Sequence, residues 1–158
     1  MPKLMTRPLF DRGRASEATG FYASIFPDGH VGKARASSVD LPAAKVGEEV
    51  LVEFAVLGRA YVGLNVGPEF TPDEAAGFMV VTETWEETDH YCDAIAGNSG
   101  RESAGGWRND RWGFSWQITP RVLLEAVADP DRAAAKRAMM KMGKIDIAAI
   151  EAARRGEG

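Results

Sequence analysis

Cysteine occurs once in the 158 residues, at Cys92, which excludes an internal disulfide and leaves no thiolates for a metal cluster. The expected compartment is therefore a reducing one, the cytoplasm. No apolar run approaches the ~18 residues needed to cross a bilayer. The opening MPKLMTRPLFDRGR meets charged residues too early for a secretory signal. No basic run or basic helix face is present either. The 19 Lys and Arg are scattered among 23 Asp and Glu, and the net charge of -4 argues against a nucleic-acid partner. No glycine-rich loop joins a strand to a helix in the way that would receive S-adenosylmethionine, and no cofactor is expected.

What remains is the composition of an ordinary globular chain, 45% hydrophobic and 27% charged. A chain of this length buries roughly 70% of its unfolded surface without an outside staple. LMTRPLF (4–10) reads as a short strand in which Pro8 favours an edge. SEATGFYASIF (16–26) places Ala18, Phe21, Tyr22, Ile25 and Phe26 on one helical face, with Ser16 as the expected N-cap. HVGKARASSV (30–39) reads as a strand, and EVLVEFAVLGRAYVGLNVGP (49–68) as a hairpin.

A loop over Leu57 to Arg59 would pair Val50, Val52 and Phe54 with Val66, Leu64 and Val62 on an apolar face. The other face would then carry Leu51, Glu53 and Ala55 against Asn65, Gly63 and Tyr61.

The second half repeats this plan. GFMVVTE (77–83) is a strand, TWEETDHYCDAIAG (84–97) a helix, and GGWRNDRWGFSWQITP (105–120) a hairpin holding three of the four tryptophans. Glu17, Thr19 and Tyr22 recur 69 positions later as Glu86, Thr88 and Tyr91. LNVGP (64–68) recurs 52 positions later as WQITP (116–120), so that Asn65 matches Gln117. Two β-α-β-β-β modules and eight strands follow.

In the second hairpin DRWG (110–113) is the turn. This pairs Trp107 with Trp116 and Arg108 with Ser115. Trp107, Phe114, Trp116 and Ile118 then share one face, and Arg108, Ser115, Gln117 and Thr119 the other. The tryptophans read as sheet packing, with Trp112 in the turn. Residues 121–158 read as helical, in three pieces: RVLLEAVA, RAAAKRAMMKM, and DIAAIEAARR capped by Asp146. Met139, Met140, Met142 and Ile145 are apolar enough to cover a module or a partner subunit.

The doubled module, the Tyr on each helix and the D-x-x-G turn resemble the vicinal oxygen chelate superfamily of glyoxalase I, bleomycin-resistance proteins and extradiol dioxygenases. Within it the chain is similar to the PhnB-like group, whose members carry a demethylubiquinone methyltransferase label. The matching stretches are FYASIFP (21–27), LNVGPEF (64–70), GGWRNDRWGFSWQITP (105–120) and MGKIDIAAIEAA (142–153).

The resemblance implies an α+β fold in which two β-α-β-β-β modules form an incomplete eight-stranded barrel around a cavity, with C-terminal helices, and a homodimer. The paired modules would occupy 1–120, as about 1–70 and 71–120, with a helical extension over 121–158. It also implies that the last-strand metal positions of metal-dependent relatives fall on Asn65 and Gln117, and the first-strand positions within 6–8 and 76–78. Neither window holds His, Asp, Glu or Cys, and two neutral amides make a poor site for Zn²⁺, Ni²⁺ or Fe²⁺. No metal is therefore expected.

The expected function is binding of a small organic molecule, with Asn65, Gln117, Glu53, Tyr61, Arg108 and Ser115 lining the cavity. A divalent-metal lyase, isomerase or dioxygenase of the same superfamily is the alternative. Glu53 would act as a base on the cavity wall or pair with an arginine such as Arg108. Cys92 reads as a small core residue, His90 as a half-buried packing residue, and His30 as exposed.

Overall fold

The computed structural model describes residues 4–103 and 107–128, with single positions 146, 148 and 152. The expected helices beyond residue 128, and Met139, Met140, Met142 and Ile145, otherwise lie outside the described residues. The chain divides into two compact units, Met1–Pro72 and Asp73–Gly158. The fold is α+β, and each unit is a β-α-β-β-β module.

The first module comprises β1 (Leu9–Asp11), α1 (Ala15–Ile25), β2 (His30–Ala36), β3 (Glu49–Val56) and β4 (Arg59–Val66). Its sheet has the order β1-β4-β3-β2, with β1 parallel to β4 and the other pairs antiparallel. The strand expected over 4–10 is interrupted because Pro8 carries no N–H to donate. The carbonyls of Thr6 and Pro8 still accept from Val62 and Leu64, so the segment lies along β4 with its ladder half made.

The second module comprises β5 (Gly77–Thr82), α2 (Trp85–Gly97), β6 (Arg101–Glu102), β7 (Trp107–Asn109) and β8 (Ser115–Pro120), followed by α3 (Arg121–Ala128). Its sheet repeats the first topology in the order β5-β8-β7-β6, with β5 parallel to β8.

Both hairpins differ from expectation by one residue, in opposite senses. In the first, Val56 pairs with Arg59, leaving a two-residue turn of Leu57 (φ 50°) and Gly58 (φ 69°). Two successive positive φ angles are the signature of a type I′ turn, whose twist matches that of the strands it joins. In the second, the Asp110 N–H donates to the Phe114 carbonyl, and the Gly113 N–H to the Asp110 carbonyl. Gly113 at φ 92° completes a three-residue loop closed by a left-handed glycine.

A one-residue slip moves every partner to the other face. In the first module Phe54 pairs with Tyr61 and Val52 with Gly63, while Glu53 pairs with Val62 and Leu51 with Leu64. In the second, Arg108 pairs with Trp116 and Trp107 with Gln117. The expected pairing of Trp107 with Trp116 is therefore incorrect.

Each sheet packs one face against its own helix. In the first module Phe10, Val52, Phe54 and Val56 are buried with Ala15, Ala18, Thr19 and Tyr22 of α1. The Phe54 ring lies 5.0 Å from Tyr61 in a stacked pair and 6.2 Å from Tyr22 of the helix. In the second module Val80, Thr82, Trp116 and Ile118 are buried with Thr88, Tyr91, Cys92 and Ile95 of α2. The Thr82 and Thr88 hydroxyls share a buried hydrogen bond of 2.6 Å. Phe78 and Trp116 pack with ring centroids 4.7 Å apart.

The helices start differently. Thr84 caps α2, accepting the Glu87 N–H at 3.2 Å, while the Glu87 carboxylate accepts the Glu83 N–H at 2.8 Å. This is close to a capping box. On α1 the expected cap, Ser16, lies inside the helix, and the flanking residue Arg14 supplies no side-chain cap. His90 is exposed rather than half-buried, while Cys92 is buried in the core.

Candidate functional site

The six residues expected to line a cavity are divided by the observed registers. Asn65 is buried on the α1 side of its sheet. Its Oδ1 accepts the Ala15 N–H at 2.8 Å, and its Nδ2 donates to the Glu49 carbonyl at 3.0 Å and to Glu49 Oε1 at 3.2 Å. Glu49 Oε2 in turn accepts from Ser16 at 2.6 Å. A residue 50 positions away thus caps α1, and the Glu49 carboxylate lies where the positive end of the helix dipole favours it.

Arg108 also lies on the helix side. Its side chain is fully buried and its Nη2 donates to Glu102 Oε1 at 3.4 Å. Ser115 is buried, accepts from Asn109 Nδ2 at 3.0 Å, and donates to the Asp73 carbonyl at 3.3 Å. It ties β7 and the segment entering β5 to β8. The contacts of these three side chains each lie within their own module, Asn65 in the first and Arg108 and Ser115 in the second.

Gln117 is half-buried on the helix-free face of the second sheet, paired with Trp107. Trp107 lies across Gly77, where an added Cβ would approach the indole Cζ3 to 2.7 Å. The expected match of Asn65 with Gln117 fails on the same grounds. The buried parallel pair Phe10 and Asn65 corresponds to Val80 and Ile118, so Gln117 corresponds to Leu64. The helices do repeat at the expected spacing, with Thr19 and Thr88, and Tyr22 and Tyr91, all buried.

Glu53 is left on a surface that can receive a ligand. A groove of about 420 Å³ opens on the first module, lined by Met5, His30, Gly32, Arg35, Glu53 and Ala55, with Ala60. Strand parity explains its position. His30 is opposite Ala55, Ala55 opposite Ala60, and the Thr6 bridge to Tyr61 aligns Met5 with Ala60. One row of mostly small side chains therefore crosses the helix-free face, leaving room above it.

Phe54 and Tyr61 also border the groove, but their stacked rings lie on the α1 side. Burial raises the Tyr61 phenol above its ordinary range, partly offset by the Arg59 cation. It is a neutral packing group. Glu53 pairs with Arg35, at 3.5 Å between Oε1 and Nη2, and not with Arg108. Arg35 and Gly32 were missed as site residues because the β2 sequence alternates weakly. A register shift between Val31 and Ala34 hides which residues share a face.

Two such modules, each a mixed four-stranded sheet with one helix on one face, define the fold of the vicinal oxygen chelate superfamily. A family model for 3-demethylubiquinone-9 3-methyltransferase matches residues 2–119, and the chain belongs to that family, the PhnB-like group of the superfamily. Among solved structures, the PhnB protein of Bacillus cereus is 27% identical over 75% of this chain and 99% of its own, with a TM-score of 0.66. A protein of Pseudomonas aeruginosa is 14% identical, covering 76% of this chain and 98% of its own, with a TM-score of 0.61. The fosfomycin resistance protein FosX of Listeria monocytogenes is 13% identical over 81% and 98%, at 0.58. The latter two likenesses concern the fold alone. No curated protein sequence matches the chain.

The metal implied by the metal-dependent branches does not fit the residues present. The Asn65 amide is spent on α1 and Glu49, on the opposite face from Glu53. Leu64, which corresponds to Gln117, offers no donor atom. Among the described residues no three His, Cys, Asp or Glu side chains converge as a metal would require. No helix among the described residues is long and apolar enough to cross a membrane.

Proposed function

We propose that the protein binds a small organic molecule in the groove on the helix-free face of its first sheet, as a homodimer in the cytoplasm. The observation that carries this reading is the groove itself. At about 420 Å³ it falls within the ~300–1,000 Å³ usual for small-molecule sites, and it sets an apolar floor beside a few polar groups. Met5, Ala55 and Ala60 supply the floor, while His30, Arg35 and Glu53 supply the polar groups. The single cysteine and the balanced, mildly acidic charge support a reducing compartment and a partner other than nucleic acid.

The test is a saturation-transfer NMR screen of a mixed fragment library against the wild-type chain and Ala60→Trp. Ala60 is exposed, so the indole fills the groove without disturbing the core. Fragments that bind the wild type should lose binding in the variant. Hits that bind both chains equally would place the ligand site elsewhere and overturn the reading.

A further inference from the structure

The ionic partners in the groove are unequally satisfied. Arg35 reaches Glu53 through one contact of 3.5 Å, with the arginine side chain 65% exposed and the glutamate 31% exposed. A guanidinium presents five N–H donors in a rigid fork, and it binds a carboxylate best through two parallel bonds of ~2.7–2.9 Å. The internal contact is single and at the outer limit of a hydrogen bond, so most of the fork remains open to a better acceptor. The strand that carries Arg35 reads HVGKARA, with Lys33 and Arg35 and no acid, and all seven residues are exposed. Anionic ligands therefore meet a positive strand edge at little desolvation cost.

Gly32 keeps this approach open. A Cβ at that position would stand 3.2 Å from both the Glu53 Cβ and its backbone carbonyl oxygen, so a side chain there would crowd Glu53 where its side chain leaves the strand. The rest of the lining, Met5, Ala55 and Ala60, is apolar and sized for a compact hydrocarbon body.

Resting on the binding reading above, we infer that the groove selects small organic carboxylates. Arg35 receives the ligand's carboxylate, and in the free protein Glu53 occupies that fork as a weak internal substitute. The ligand's apolar part lies over Ala55 and Ala60. Removing the Glu53 charge should strengthen binding, because the ligand no longer competes with an internal anion.

Three probes carry a phenyl ring on a three-carbon chain and end in an anionic, a cationic or a neutral head group: 3-phenylpropionate, 3-phenylpropylamine and 3-phenylpropanol. Each is titrated into the full chain while the methyl resonances of Met5, Ala55 and Ala60 are followed by NMR. The propionate should bind tightest. Arg35→Gln should weaken it about tenfold, the ~1.4 kcal/mol that a factor of ten represents, and leave the alcohol unchanged. Glu53→Gln should tighten the propionate.

Saturable binding of all three probes with equal affinity, preference for the amine, or unchanged propionate affinity in Arg35→Gln would overturn the carboxylate assignment while leaving the groove as a site. Absence of any methyl shift with all three probes would overturn the groove reading itself.

Discussion

Trp116 is joined to Asp110 by a hydrogen bond whose loss can be calculated and measured. The indole Nε1 donates to Asp110 Oδ2 at 2.8 Å, and Asp110 Oδ1 accepts the N–H groups of Trp112 and Phe114 at 2.9 and 3.0 Å. Both side chains are buried, at 3% and 4% exposure, so water cannot replace a lost donor without rearrangement. Trp116→Phe keeps a ring against Phe78 and removes the N–H. A hydrogen bond to a charged group contributes ~1.5–3 kcal/mol, and truncating the indole to a phenyl ring adds about 1 kcal/mol of lost packing. The expected loss is about 3 kcal/mol.

Urea unfolding followed by far-UV circular dichroism avoids using the altered fluorophore as the probe. Asp110→Asn presents an amide toward the same indole N–H and should also destabilise. The double variant should show a coupling energy of ~1 kcal/mol or more between the two sites. A Trp116→Phe midpoint equivalent to less than ~0.5 kcal/mol of destabilisation, with additive effects in the cycle, would refute the claim that this bond organises the β7–β8 turn.

Asn65→Ala removes the distant cap of α1 and should lower stability by ~1–2 kcal/mol, read as a fall in thermal midpoint; an unchanged midpoint would remove Asn65 from that role. A third expectation concerns pH. Arg121 donates to the Glu83 carboxylate through contacts between 2.5 and 2.9 Å, which lowers the Glu83 carboxyl below its ordinary range and raises the arginine. A lowered folded-state value means that the stabilisation is present above the ordinary carboxylate range and is lost as pH falls through the folded value. The stability difference between wild type and Arg121→Gln should therefore be largest near neutrality, shrink on acidification and shrink with added salt. A difference independent of both would show that the pair does not hold α3 to the end of β5.

Much of the architecture is legible along the chain. The helices announce themselves through Thr and Tyr at matched spacing, all of them buried in the fold. The alternation of β3 predicts that Val52 and Phe54 are buried, as they are. The candidate site was less legible. The alternation of β3 sets Glu53 on the helix-free face and Tyr61 borders the same groove, but the strand register puts Val62, not a polar residue, opposite Glu53, and the groove's other polar groups, His30 and Arg35, come from β2.

Composition, element order, the doubled module and the burial of Ala18 and Tyr22 on α1 follow from the amino-acid sequence alone, because they depend on local periodicity and turn chemistry. The register of the two hairpins does not. LGR and DRWG each permit loops differing by one residue at small local cost, and the choice decides which face of β4 and β8 meets a helix. Only the packed structure settles it: Tyr61 stacks on Phe54, Asn65 reaches the first N–H of α1, and Trp116 finds Asp110. Those contacts join residues distant in sequence or on opposite strands, so the choice between Asn65 as a ligand-binding amide and as a helix cap was tertiary from the start.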